Sequence, residues 1–246
     1  MKPLTARWVF VLKRNAEGEV ERAKARLVAR GFEQRFGRDV FKTFSPVPRL
    51  ETVRTFLTIV ELNGWVRVQF DIATASLHRQ VEEEVFMEPP QGVVVPQNKC
   101  LKLIKALYGL RQAPKVWNQA LDEALSEMNF KQIKSDACVY RNSDASIIIL
   151  IYVDDGIVAA KSKKIAQKVI EELSNRFKVR EMSGSMFLGI ELVETTSGLK
   201  LSQTRYVDDI LKRFNMADAK PSETLYLERI EMKMDINRLK PPIGRR

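Results

Sequence analysis

The apolar run 8–12 and the alternating stretch 23–29 predict two strands joined across the turn Asn15-Ala16-Glu17-Gly18. Gly31 and Gly37 punctuate a loop that carries Phe32 and Phe36. Val53, Phe56, Leu57 and Val60 then recur at helical spacing, with Asn63-Gly64 as a stop signal. Val66, Val68 and Phe70 alternate with Arg67, Gln69 and Asp71, which predicts a half-buried strand whose polar face ends on Asp71. Residues 89–98 read as an irregular connection. Pro114 suits the first turn of a helix whose stripe is Val116, Trp117, Ala120, Leu121, Ala124, Leu125 and Met128.

In the second half, residues 147–153 read as a buried strand, Asp154-Asp155-Gly156 as a turn, and 157–160 as the returning strand. A helix follows on Ile165, Ala166, Val169, Ile170, Leu173 and Phe177. Strand-like pieces at 186–193 and 199–202 precede a last helix on Tyr206, Val207, Ile210, Leu211 and Phe214. Hairpins and segregated helices, without strict strand–helix alternation, predict an α+β fold.

Composition narrows the chemistry. With 45% hydrophobic and 29% charged residues over 246 positions, the chain can bury a core. The longest apolar run is the seven residues 147–153, too short to span a membrane, and no signal peptide is visible; the expectation is an intracellular protein, cytoplasmic or nuclear. His78, Cys100 and Cys138 are one soft ligand short of a four-ligand zinc site, and neither a phosphate loop nor a nucleophile elbow is present. Carboxylates and a hard metal are what remain for catalysis.

The net charge of +10 is unevenly placed: residues 1–54 hold 13 Lys/Arg against 6 Asp/Glu, whereas 55–219 balance at 21 each. Such an excess is commonly a plain solvated surface. Here Arg22, Lys24, Arg26 and Arg30 flank Ala23, Ala25 and Leu27, and strand period gathers several cations on one face that would attract phosphate.

The tetrapeptide Tyr-Val-Asp-Asp occurs twice. At 206–209 its aspartates fall on the solvated side of the last helix. At 152–155 they sit at the tip of a hairpin of Ile, Leu and Val. Asp-Asp-Gly is ordinary turn chemistry, but adjacent carboxylates repel unless a cation joins them, and magnesium accepts one or two carboxylates plus substrate phosphates. Asp71, at the end of a separate strand, supplies a third carboxylate, the number that can hold a pair of metal ions for phosphoryl or nucleotidyl transfer.

Six blocks carry a resemblance over residues 7–220. They are Lys24-Ala25-Arg26-Leu27-Val28-Ala29-Arg30-Gly31-Phe32, Thr43-Phe44-Ser45-Pro46-Val47, Glu82-Glu83-Glu84-Val85-Phe86-Met87-Glu88-Pro89-Pro90, Leu107-Tyr108-Gly109-Leu110-Arg111-Gln112-Ala113-Pro114, Tyr152-Val153-Asp154-Asp155 and Phe187-Leu188-Gly189-Ile190. In this order they resemble the reverse transcriptase of copia-like LTR retrotransposons. The resemblance implies a right-hand polymerase with fingers at 1–60, a palm with a ferredoxin-like sheet at 61–193, the start of a truncated thumb at 194–220 and a divergent tail at 221–246. It implies extension of DNA on an RNA or DNA template-primer, with dNTPs as substrates and two Mg2+ ions, or Mn2+, as cofactors. Asp71, Asp154 and Asp155 would be the catalytic metal ligands, and the Ile72 carbonyl would complete one shell. Lys24 and Arg26 would meet the triphosphate, Tyr108 and Gly109 would lie against nucleotide and template, and Arg111 near a phosphate.

The sequence also departs from that pattern. After Asp71 the family reads Val-Lys-Thr-Ala-Phe-Leu-Asn-Gly, where this chain has Ile72-Ala73-Thr74-Ala75-Ser76-Leu77-His78-Arg79. Ser76 stands where the family carries an aromatic ring beneath the sugar, so weak discrimination against ribonucleotides is expected. Beyond Pro221 the likeness ends, and the chain reads as a fragment. Its rival reading is a catalytically silent nucleic-acid-binding remnant.

Overall fold

The computed structural model describes residues 2–14, 19–73, 79–182 and 185–220. The chain divides into two compact units, Met1–Ser185 with Ser197–Leu199, and Met186–Thr196 with Lys200–Arg246. The architecture is mixed α and β, as expected.

The first unit opens on an antiparallel hairpin of β1 (Ala6–Arg14) and β2 (Val20–Ala29), with Trp8 opposite Leu27 and Val9 opposite Arg26. Strand alternation therefore puts Trp8, Phe10 and Leu12 with Ala23, Ala25 and Leu27 on one face. The other face carries Arg22, Lys24 and Arg26 beside Val9 and Val11. This is the basic face that the pattern predicts, although Arg30 falls just past the end of β2. The turn 15–18 lies outside the described residues.

Helix α1 (Leu50–Leu62) buries Val53, Phe56, Leu57 and Val60, the predicted stripe, and ends before Gly64, whose φ is +60°. Strand β3 (Val66–Ile72) buries Val68, Phe70 and Ile72 and leaves Arg67, Gln69 and Asp71 half-buried. Two short strands that the sequence did not reveal, β4 (Phe86–Met87) and β5 (Leu101–Lys102), pair in a small sheet of their own. Then come α2 (Ala113–Glu127), β6 (Lys131–Gln132), β7 (Val139–Arg141), β8 (Ile147–Tyr152), β9 (Asp155–Ala160), α3 (Lys163–Ser174) and β10 (Val179–Met182).

The main sheet runs β10-β3-β9-β8-β7-β6. On one face Val68, Phe70, Ile72, Ile149, Ile151, Val158 and Ala160 meet Trp117, Leu121 and Leu125 of α2 and Ala166, Val169, Ile170 and Leu173 of α3. Each large aliphatic or aromatic side chain so buried contributes roughly 1.5–3 kcal/mol, so this cluster tolerates an unfavourable polar arrangement at the sheet's end. A second cluster, with Leu4, Ala29, Val85, Met87, Ala106, Leu110, Ala113 and Val116, ties the end of β2 to the start of α2.

One predicted turn is shifted. Asp155 and Gly156 belong to β9, and the turn consists of Val153 and Asp154 alone. The reason is packing: Gly156 lies opposite Phe70, and a Cβ there would stand 2.3 Å from the Phe70 ring. The glycine makes room for an aromatic ring rather than turning the chain.

The second unit holds β11 (Met186–Phe187), β12 (Ile190–Thr195) and, from Lys200 on, β13 (Gly198–Ser202), strands of one three-stranded sheet, then α4 (Thr204–Arg213). The single strand predicted over 186–193 is broken by a turn at Leu188 and Gly189, both with positive φ. Asp208 and Asp209 are exposed as expected. The apolar stripe predicted on α4 is not buried: Tyr206, Val207, Ile210 and Phe214 are all exposed. Helical period fixes the helix but not what covers its face.

Candidate active site

Sheet register assembles the carboxylates. Asp71, last but one in β3, lies directly across from Asp155, first in β9, while Tyr152 faces Asp155 from β8. The two-residue turn between β8 and β9 brings Asp154 to the same sheet end, where the Ile72 amide donates to the Asp154 carbonyl at 2.8 Å. Asp71 and Asp154 line a cleft of about 730 Å³ together with Arg22, Lys24 and Arg26 of the basic hairpin face. Asp155 does not line it.

The charges sense one another. Burial raises the Asp154 carboxyl, Asp71 raises it further, and Lys24 and Arg26 pull it back down. Asp155 is pushed up to about 6, first by burial and then by Asp154 and Asp71. Asp154 and Asp155 thus have their proton affinity raised beside Asp71, an arrangement that a bound cation would relieve.

Among the described residues no three acidic, histidine or cysteine side chains close into a metal-holding cluster. The donor chemistry still suits a hard divalent ion. The oxygen donors are crowded, desolvated and mutually repelling, and two of them face a cleft lined by cations suited to phosphate.

The other predicted residues divide. Ile72 and Tyr108 line the cleft, and the Arg26 guanidinium sits 5.8 Å from the centre of the Tyr108 ring. Tyr108 is held there by its backbone, since the Ala29 amide donates to the Tyr108 carbonyl at 2.8 Å. Gly109 follows at φ +91°, and a Cβ on it would lie 2.1 Å from the Ala29 carbonyl oxygen. Only glycine lets the two segments approach this closely. Arg111 is not among the cleft-lining residues; its guanidinium donates to the Phe32 carbonyl at 3.2 Å. Ser76 and His78 lie outside the described residues.

Sequence reasoning missed two groups. Lys178 and Arg180 line the cleft, because β10 pairs beside β3 and sets Arg180 opposite Asp71. A four-residue strand without alternating burial gives no pattern to read. The buried amides of Gln34 and Gln112 also went unread. Gln34 Nε2 donates to Gln112 Oε1 at 2.8 Å, both donate to the Asp39 carbonyl, and the Arg111 amide donates to Gln34 Oε1. This network fixes the segment after Gly109 against the loop after β2.

The cleft pairs strand-end carboxylates with a basic hairpin face, and comparison with known proteins identifies the family. The family described as reverse transcriptase (RNA-dependent DNA polymerase) matches residues 1–228, and the chain belongs to it. It is 39% identical over 231 residues to the retrovirus-related Pol polyprotein from transposon TNT 1-94 of Nicotiana tabacum, covering 91% of this chain and 17% of the relative. It is 37% identical over 223 residues to the corresponding polyprotein from transposon RE1 of Arabidopsis thaliana, covering 89% and 15%. The chain therefore spans about a sixth of the length of these relatives. Among solved structures, the RNA-dependent RNA polymerase from bacteriophage phi12 matches 72% of this chain and 37% of its own at 16% identity, with a TM-score of 0.41, too distant to bear on the argument. No helix of the described residues is long and apolar enough to cross a membrane.

Proposed function

We propose that the chain is the polymerising part of a copia-like Pol polyprotein, extending a DNA primer on an RNA or DNA template with dNTPs. The observation that carries this reading is the shared cleft of Asp71 and Asp154 with Lys24 and Arg26. In this reading residues 1–60 are fingers, 61–193 a palm and 194–220 the start of a thumb. The tail 221–246 lies outside the described residues.

The roles follow from charge and place. Asp71 and Asp154, with Asp155 behind them, would hold two Mg2+ or Mn2+ ions, and the Ile72 carbonyl would serve as a further oxygen donor. When bound, such ions neutralise charge on the attacking and leaving oxygens. Lys24 and Arg26 hold the triphosphate and offset the charge that grows as the primer 3′-oxygen attacks the α-phosphate and pyrophosphate departs. Tyr108, steadied under Arg26, and Gly109 lie against the nucleotide. Arg111, whose guanidinium is engaged by the Phe32 carbonyl outside the cleft, has no phosphate role in this reading, and the role of Ser76 rests on the resemblance alone. Lys178 and Arg180 add cationic surface to the same cleft.

The binding half of the proposal is tested by salt. Each phosphate neutralised on a duplex contributes about 0.9 to the slope of log affinity against log salt. Replacing both Lys24 and Arg26 by alanine is expected to make that slope shallower by about 2 for a template-primer in a filter-binding titration. An unchanged slope would remove these side chains from the phosphate path. The catalytic half is tested by incorporation of dTMP on poly(rA)·oligo(dT).

A further inference from the structure

Val153 is the first residue of the two-residue turn that carries Asp154, and its φ is +58°. A positive φ at the first turn position with none at the second, Asp154, is the type II′ pattern, in which glycine is the usual first occupant. A β-branched residue there is strained and persists only where surrounding contacts hold it. One such contact is present. The buried indole of Trp117, on α2, donates from Nε1 to the Val153 carbonyl at 2.7 Å. The next carbonyl, that of Asp154, accepts from the Ile72 amide. Both carbonyls of the turn are pinned, one from the helix beneath the sheet and one from the neighbouring strand. What they hold in place is a carboxylate that Asp71 and Asp155 repel.

We infer that Trp117 is a positioning residue whose indole N–H holds the strained Val153–Asp154 turn, and through it the Asp154 carboxylate, in the cleft. The inference rests on the reading of that cleft as catalytic, yet the hydrogen bond and its consequence for the carboxylates can be measured without turnover. The second face of Trp117 is plain packing: its ring meets Phe177 edge-on at 5.2 Å. Trp117→Phe keeps a ring for that contact and removes the donor.

The test is a double-mutant cycle of Trp117→Phe and Val153→Gly, read by Mn2+ affinity from the electron paramagnetic resonance of free Mn2+, and by kcat and KM for dTTP. Trp117→Phe is expected to weaken Mn2+ binding severalfold and to lower kcat about 10–100-fold with KM changed less than about twofold, as for a misplaced catalytic group. Glycine adopts positive φ without strain, so in the Val153→Gly background the same change should cost much less on both readouts. Equal losses in the two backgrounds would reduce Trp117 to core packing and overturn the inference, as would full Mn2+ affinity in Trp117→Phe.

Should Trp117→Phe fail to fold, the wild-type chain labelled with 15N-tryptophan still decides. Its three indole signals are assigned by Trp8→Phe and Trp65→Phe, and the Trp117 N–H is expected to exchange slowest with deuterium. Fast exchange would show the bond absent and end the proposal. Should no variant, nor the wild type, polymerise, the Mn2+ and exchange readouts remain, which separates failure of this inference from failure of the catalytic reading.

Discussion

Asp71→Asn and Asp154→Asn are each expected to lower the rate of nucleotide incorporation by at least about a thousandfold while leaving template-primer binding within a few-fold of normal. The split follows from where each charge acts. Both aspartates line the cleft and would bind the ions that stabilise the departing and attacking oxygens. In the proposed function, binding of nucleic acid would draw instead on Lys24, Arg26 and their neighbours, and removing a nearby anion does not weaken a cation's hold on phosphate. Asparagine is close to isosteric with aspartate and relieves repulsion at a crowded sheet end, so the variants should fold. Single-turnover incorporation together with filter binding checks both halves. Equal loss of binding and rate would point to a damaged fold, and unchanged rates would place the chemistry elsewhere.

The second large effect concerns stability in the absence of metal. An aspartate in an unfolded chain loses its proton near pH 3.9, whereas Asp155 in the folded chain holds it up to about 6. Between those values the folded state binds the extra proton, so stability falls as pH rises from about 4 and stays low once pH passes about 6. The causes are burial first and then the charges of Asp154 and Asp71. Asp155→Asn removes this dependence. In chelator-treated protein it is expected to gain on the order of 1–2 kcal/mol at pH 7 and almost nothing at pH 4. For a chain of this size that is a rise in melting temperature of roughly 2–8 °C at pH 7. A melting temperature unchanged or lowered at pH 7 would show that Asp155 is not held in a repulsive, desolvated place.

The sequence made the site legible where side-chain pattern and backbone geometry coincide. The alternation of Val66, Val68 and Phe70 with polar neighbours marked both the strand and the end on which Asp71 sits, because burial on one sheet face imposes that period. The stripe on α2 was equally plain, and it contains Trp117, whose packing role could be read while its hydrogen bond could not. The shift of the Asp154-Asp155-Gly156 turn has a clear cause. Glycine next to aspartate reads as a turn locally, whereas Gly156 serves the Phe70 ring from a different strand. Pairings between distant segments left the least trace. The placement of β10 beside β3, which brings Arg180 opposite Asp71, depends on register and not on any pattern within four residues. The amides of Gln34 and Gln112, 78 positions apart, look like ordinary polar residues until the fold buries them together.

In the proposed function, the cleft between the basic hairpin face and the β8–β9 turn transfers nucleotides. Incorporation of labelled dTMP by the wild-type chain on poly(rA)·oligo(dT), in Mg2+ and separately in Mn2+, tests it most directly. Primer extension is expected to depend on template, primer and divalent ion together and to be lost in Asp154→Asn. A wild-type chain that binds the template-primer tightly in both ions yet adds no nucleotide would contradict it, and would leave a nucleic-acid-binding remnant in its place.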